Sequence, residues 1–461
     1  MESTDNFARG NEPHSAASNS GLAAGIACKF EQELGRMVES LGRETMTPSS
    51  FGSFVSGLRG LLAALGRETL EQVLQSKDEV NPAVVVAGER LRYRGMAESE
   101  WLTPFGKVTV LRRTYRGDGP GKGSAVPLDD ACGMRGRFMT PDVEEMAAVG
   151  MAMLTATEVE LILGKALPEG PSATAIQNAV IKRGEEMAVL REAIEKAIDE
   201  QAPLSSKGDI LVASFDGVMT PMREDTDVAW REAGVATISI YGPGKEGPEK
   251  LDTRYLARMP ESKMKTLLEQ IVDQVERVKR ARTLSKIALV CDGKDTIWSI
   301  ASKEPVLHDA VWILDFYHAS ENLMKAAKAI HGDDDVAAHR WHEKLRSKLL
   351  VDDRGVDNAI RTMRRCRARL KANTERWNIV DNAIDYFRKN IERMRYVTFL
   401  AMGLPIGSGP VESAAKNIVQ ARLKRSGMRW SREGGQHVLD LRTYLKSGRW
   451  APMWGTLLKA A

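Results

Sequence analysis

Cysteine is scarce in this chain of 461 residues: there are four, at Cys28, Cys132, Cys291 and Cys366. None forms a C-x-x-C pair, which speaks against a zinc knuckle or a disulfide framework and fits a reducing cytoplasm. Long apolar runs are missing too, and nothing approaches the roughly 20 residues that a membrane span needs. Residues 1–20, MESTDNFARGNEPHSAASNS, have no basic stretch followed by a long apolar core. They are expected to carry no secretory signal and to form a disordered tail. The chain has no P-loop and no G-x-S-x-G elbow, which argues against an NTPase or a serine hydrolase. The histidines His308, His331, His339, His342 and His437 fall into no metal-ligand spacing, and there is no internal repeat.

What is present is the composition of a globular protein, 43% hydrophobic and 28% charged, long enough for about two to four domains. The formal charge of +4 hides an asymmetry. From His339 to Arg449 there are 25 Lys and Arg against 11 Asp and Glu, a net of +14, while the remainder carries −10. The C-terminal quarter is therefore a candidate polyanion surface, although solvated helix faces would look the same.

Apolar residues at three- and four-residue spacing predict amphipathic helices over residues 21–80. Residues 81–135 read as a small β-rich element with Gly-rich connections. Within it, LRRTYR puts Arg112, Arg113 and Arg116 on or near a strand, set to touch phosphate or to form a solvated face. Residues 136–205 return to helix, with Thr140 as N-cap before Pro141 and a third helix beginning near Ser172. This order suits a helix-turn-helix DNA reader, and equally three packed helices.

Residues 206–318 alternate: ILVASFDGV, WREAGVATISIYG and TRYLARM as strands, a helix with Ser262 as its cap, KIALVCDG as a fourth strand, a helix, and AVWILDFYH as a fifth strand. Three strands, a helix, a strand, a helix and a strand is the order of a ribonuclease-H-like α/β layer. Residues 319–402 form a charged helical insertion. Residues 403–461 return to the core, with a helix from about Pro410 to Arg425, Ser408 as its cap and Gly427 as its stop.

Three carboxylates stand out in this frame. Asp216 ends ILVASFD, Asp292 ends KIALVCD, and Glu412 lies in PIGSGPVESAAKNIVQARLKRSGMRWS. Strand ends form a rigid platform at the edge where α/β sheets bind ligands. Two or three carboxylates there suffice to hold Mg²⁺, and a pair of such ions suits phosphodiester chemistry. Taken singly, each Asp-Gly is also ordinary turn chemistry, and Glu412 an ordinary first-turn acid. Asp315, in ILDFYHASENL, also ends a strand and rivals Asp292 as second ligand. The strand order favours Asp292 and leaves Asp315 and His318 as an accessory D-x-x-H pair beside the site. Arg422, Lys424 and Arg425, with Arg429 and Trp430 beyond Gly427, suit a DNA backbone and a displaced base. Trp230 and Trp298 are read as core.

WILDFYHASENL, GLPIGSGPVESAAKNIVQARLKRSGMRWS and LRTYLKSGRW together resemble the bacterial insertion-sequence transposases of the Kra type, DDE enzymes akin to the Mutator-like and hAT transposases. The resemblance spans about residues 90–455. It implies a ribonuclease-H-like catalytic domain with a helical insertion before the Glu, and a metal-bound triad of Asp216, Asp292 and Glu412 with the D-x-x-H pair on Asp315 and His318. Relatives often carry cysteine pairs in the N-terminal strand region, and this chain has none there. The expected activity is cleavage of element ends and strand transfer into target DNA with two Mg²⁺ ions, Mn²⁺ substituting. The expected partners are the terminal inverted repeats, target DNA and at least one further copy of the chain, in the cytoplasm with no membrane association. A structure-specific nuclease on the same fold and a domesticated, non-catalytic DNA-binding protein are the alternatives.

Overall fold

The computed structural model describes residues 16–42, 45–119, 122–224, 227–245 and 247–460. The chain divides into two compact units, one reaching Val180 and the other running from Ile181 to Lys459. Most of the tail expected over residues 1–20 lies outside the described residues, and helix already begins at Ala16. Among the described residues no helix is long and apolar enough to cross a membrane.

The first unit opens with two long helices, α1 (Ala16–Gly42) and α2 (Pro48–Lys77). Thr47 caps α2 by accepting from the Ser50 N–H, with Pro48 in the first turn, which satisfies donors that the helix leaves open. A four-stranded antiparallel meander follows: β1 (Ala83–Val86), β2 (Glu89–Thr103), β3 (Gly106–Arg116) and β4 (Ser124–Ala125). Trp101 of β2 faces Val108 of β3 across the ladder, and both are buried with Val110, Leu128 and Met134. The Arg112 and Arg113 side chains do not form a free basic face. Arg112 pairs with Asp129 at 2.6 Å and Arg113 with Asp78 at 2.7 Å, all largely buried.

Short α3 (Pro127–Ala131) leads to α4 (Pro141–Met153) and α5 (Ala156–Ala166). Thr140 does stand at the α4 N-cap, but its hydroxyl makes no cap bond and instead donates to the Leu102 carbonyl. Thr155 and Glu158 form a reciprocal capping box on α5. The third helix of this region, α6 (Ala173–Val189), begins beside Ser172 as expected, and α7 (Arg191–Gln201) follows. The division between the two units falls inside α6.

The second unit is a mixed α/β layer. Strands β5 (Ile210–Glu224), β6 (Asp227–Gly244), β7 (Gly247–Arg258), β8 (Lys286–Cys291) and β9 (Val311–Leu314) form one sheet in the order β7-β6-β5-β8-β9. The first three are antiparallel to one another, and β5, β8 and β9 run parallel. The G-x-G-x-x-G spacing from Gly242 to Gly247 joins two antiparallel strands instead of opening a helix, so it is a turn and not a dinucleotide site. Strand β5 is buried without alternation from Ile210 to Phe215, the mark of a strand covered on both faces.

Helix α8 (Lys265–Ala281) fills the crossover to β8 with Leu267, Ile271 and Val275. Its cap is not Ser262. The chain enters through a short 3-10 turn with Lys263 and Met264 at positive φ, and the Glu261 carboxylate accepts from the Leu267 N–H. Helix α9 (Asp295–Ala301) links β8 to β9. Five helices follow β9, where a charged helical insertion was expected: α10 (Phe316–His331), α11 (Asp335–Val351), α12 (Gly355–Arg367), α13 (Glu375–Lys389) and α14 (Tyr396–Ala401). Leu323, Leu345, Leu349, Val356 and Phe387 place these helices in the same hydrophobic core as the strands.

The closing segment is not one plain helix from Pro410 to Arg425. It comprises α15 (Gly409–Ala414), a π-helical turn (Ala415–Gln420) and a last short turn α16 (Ala421–Leu423). Such widened turns are rare and recur at functional sites. The buried Arg442 guanidinium, from α17 (Arg432–Lys446), donates to the Asn417 carbonyl inside the π turn. Helix α18 (Trp450–Ala460) ends the described chain.

Only Ile210 to Ala213 of β5 pair with β8. Beyond that point β5 and β6 continue as a two-stranded ribbon. One face of it, with Val218, Met222, Ala233 and Val235, is buried against Val411, Ile418, Val419 and Leu423.

Candidate active site

Three parallel strands lie side by side, and each delivers a carboxylate: Asp292 and Asp315 directly past the ends of β8 and β9, but Asp216 from within β5, which runs on to Glu224 instead of ending at the acid as expected. Asp216 lies three residues past the last β5–β8 pair, where β8 has stopped. Asp292 follows Cys291, the last residue of β8, and Asp315 follows Leu314, the last residue of β9. Local bonds fix each one. The Gly217 N–H donates to Asp216 Oδ1 at 2.7 Å, and the Lys294 N–H to Asp292 Oδ1 at 3.1 Å. Asp315 caps α10: its Oδ1 accepts from the His318 N–H at 2.7 Å and from His318 Nδ1 at 3.2 Å.

Asp315 is fully buried. It also pins the Gly-rich loop before Glu412, because its Oδ2 accepts from the Ser408 N–H and the Phe316 N–H donates to the Ile406 carbonyl. Glu412 thereby sits in the first turn of α15, next to Asp315. Ser408 is the N-cap as expected, yet its side chain makes no cap bond.

The grouping differs from the expected triad. Among the described residues, the metal-capable group whose ligand atoms lie within 4.8 Å of one another is Asp315, His318 and Glu412. Asp216 and Asp292 meet elsewhere, on the Lys294 ammonium. Lys294 Nζ lies 3.9 Å from Asp216 Oδ1, 3.7 Å from Asp292 Oδ2 and 3.1 Å from Glu232 Oε1. The reason is a long-range contact: Asp315 holds the loop that carries Glu412, which the spacing of three acids along the chain does not reveal.

Burial and charge set the protonation of these groups. Burial pushes the Asp216 carboxyl up, against the Gly217 amide and the Lys294 and His318 charges, which pull it down. For Asp315 burial also pushes up, but hydrogen bonds from the His318 ring and from the His318 and Ser408 amides outweigh it and hold the carboxyl low. The hydrogen bond to Asp315 is the chief cause that raises His318, to about 9. Near neutral pH His318 is therefore an imidazolium, a second cation beside the carboxylates. Burial disfavours the Lys294 charge, yet the Glu232 hydrogen bond and the Asp292 and Asp216 charges leave its ammonium more basic than usual.

Lys294, Glu232 and Tyr386 were not singled out in the sequence. Lys294 was legible only as the residue directly after an Asp-Gly. Glu232 comes from the neighbouring strand and Tyr386 from the helical insertion, so only the fold brings them in. Gly217 and Gly293 permit these approaches. A Cβ on Gly217 would overlap the Glu232 carboxylate, and one on Gly293 the Tyr386 ring.

The residues expected to bind DNA divide into two sets. Lys424, Arg425 and Arg429 are exposed. Arg422 is not: it is buried, with its guanidinium 4.9 Å from the Trp430 ring centroid. Trp430 is a staple, not an open stacking face. Its Nε1 donates to the Leu423 carbonyl at 3.1 Å, and its backbone bonds Pro221 and Arg223 on the β5 ribbon. Both side chains are used where the closing helix packs on the ribbon. Trp298 is buried as expected and stacks on Trp312, whereas Trp230, expected in the core, is 51% exposed.

No family model matches the chain, and no curated protein matches it.

Proposed function

We propose that this protein is a metal-dependent DNA transposase of the DDE kind, cutting element ends and joining the resulting 3′-hydroxyls to target DNA. The observation that carries this reading is the convergence of Asp216 Oδ1 and Asp292 Oδ2 on one ammonium, both within 4 Å of Lys294 Nζ, where β8 ends beside its longer parallel neighbour β5. The sheet order, with three antiparallel strands followed by two parallel additions, supports a ribonuclease-H-like core. The helices α10–α14 between β9 and Glu412 support the insertion expected of Kra-type enzymes.

The donor set suits hard divalent ions. Asp216 and Asp292 offer oxygen to the space that Lys294 reaches into, and Glu412 and Asp315 offer oxygen beside it. When bound, a pair of Mg²⁺ ions would make the attacking oxygen reactive and steady the leaving one. The protein's own residues supply the rest. The Asp292 loop is shaped against Tyr386, Asp315 orients both His318 and the Glu412 loop, and the His318 imidazolium offers a charged donor to a phosphate oxygen. Exposed Lys424, Arg425 and Arg429 supply non-specific backbone affinity. Phe51, Val55 and Leu62 on α2 remain exposed and favour pairing of two copies, as synapsis of two ends requires.

The test is cleavage and joining of a labelled element end with Mg²⁺ or Mn²⁺, comparing wild type with Asp216→Ala, Asp292→Ala, Asp315→Ala and Glu412→Ala. Loss of cleavage in the Asp216, Asp292 and Glu412 variants, with DNA binding retained, is expected. Loss of binding in step with cleavage would count against the assignment. An active Asp292→Ala beside a dead Asp315→Ala moves the second ligand to Asp315, the partner of Glu412 in the observed group. Cutting without joining identifies a nuclease, and an inert wild type a DNA-binding relic.

A further inference from the structure

Trp230 is a large indole with half its surface open to solvent, and its place in the fold is specific. It lies on β6 two residues from Glu232 and therefore on the same face of that strand, about 7 Å away along it. Glu232 is the carboxylate that holds Lys294, 3.1 Å from its Oε1, beside Asp216 and Asp292. Trp230 is thus joined to the acidic site by one short step along a strand.

Its other surroundings are basic. The Lys424 ammonium lies 5.5 Å from the indole centroid. Arg223, two residues from the Pro221 that pairs with Trp230 and so on the same face of the ribbon, is exposed, as is Arg429 next to the Trp430 staple. The ribbon that carries Trp230 is held in place rather than loose, by the Met222–Trp430 bridge and by the packing of Val218 and Met222 on the closing helix. An exposed aromatic face with one ammonium 5.5 Å from its centroid and an exposed arginine on the same face of the ribbon, held rigid and set beside the proposed phosphodiester-cutting site, matches the requirement for binding an unpaired nucleotide: stacking on the base and charge on the flanking phosphates.

On this basis, and resting on the transposase reading above, we infer that Trp230 is the stacking platform for a base unpaired from the duplex close to the cleaved phosphate, with Lys424 and Arg223 holding the backbone on either side of it. The rise of about 3.4 Å per base along a strand puts that base only a few nucleotides from the scissile bond. Stacking tolerates any base, so the platform serves strand opening and not end-sequence recognition.

The experiment measures binding by fluorescence anisotropy to two probes of one duplex sequence, one blunt and one with a short unpaired thymidine arm, using full-length wild type, Trp230→Ala and Trp230→Phe. A third probe carries abasic sites in the arm. Trp230→Ala is expected to weaken binding to the forked probe about tenfold and to leave blunt-duplex binding unchanged, while Trp230→Phe keeps most of the affinity. The abasic arm should cost wild type a similar factor and cost Trp230→Ala nothing further. Equal binding of the forked probe by wild type and Trp230→Ala overturns the inference, as does an equal loss on both probes. Cleavage with Mg²⁺ on the same DNA separates the two claims. Arm-specific loss without cleavage by wild type keeps the platform and sinks the transposase reading. Cleavage by wild type with no arm-specific loss does the reverse.

Discussion

At the residue scale, protonation and close approach govern the site. His318 is raised to about 9 by Asp315, so its folded-state value lies above that of the unfolded chain, near 6.5. A raised histidine stabilises the fold fully below the unfolded value, and that contribution is lost as pH rises through the folded one. Thermal unfolding without divalent ions should therefore show stability falling between about pH 6.5 and pH 9. His318→Gln should flatten that slope, and an unchanged slope would remove the pair as its cause.

Gly293 makes a second prediction at this scale. A methyl group there meets a stiff Tyr386 ring rather than the far end of a flexible chain. Gly293→Ala should displace the Asp292 loop and cost about 1–3 kcal/mol in denaturant unfolding. The double change Gly293→Ala with Tyr386→Leu should recover part of that loss.

At the scale of elements, the π turn behind Glu412 depends on Arg442. That guanidinium is buried and satisfies the Asn417 carbonyl. Arg442→Met leaves the carbonyl without its donor at a cost of about 1–3 kcal/mol, and should reduce cleavage because the turn sets the angle of the Glu412 helix. Full activity at wild-type stability would show that the turn stands without the arginine. The β5–β6 ribbon depends in the same way on Trp430, whose side chain and backbone bridge Leu423, Pro221 and Arg223.

At the scale of the whole molecule, charge decides more than contacts do. The segment from His339 to Arg449 carries a net of +14, but only exposed cations meet phosphate. The logarithmic salt dependence of duplex binding should lose about 0.9 in slope for each contact removed. Lys424→Gln and Arg429→Gln should each show that change at unchanged stability. Arg422→Gln, a buried cation, should leave the slope alone and lower the melting temperature. If Arg422→Gln changes the slope as the exposed variants do, the guanidinium reaches DNA despite its burial.

The alternation of strand and helix, Asp292 and Asp315 at strand ends, and a run of helices after β9 were legible in the sequence, because periodicity and turn chemistry are local and need no partner, whereas Asp216 lies inside a strand that its pairing with β6 carries on to Glu224. The sequence alone could not show which acids meet. Glu412 joins Asp315 and His318 because one hydrogen bond to the Asp315 carboxylate and one from the Phe316 N–H tie its loop to the start of α10, and Asp216 joins Asp292 through Lys294, which is also held by Glu232 on the neighbouring strand. Nor could it sort the arginines and tryptophans: Arg422 and Trp430 have the composition of a DNA surface yet are buried together, while Trp230 has the pattern of a core residue yet faces solvent. Local composition determined which elements form and which groups carry charge. Tertiary packing decided which of those groups water can reach and which come within a few ångströms of one another, because burial and convergence depend on segments far apart in the chain.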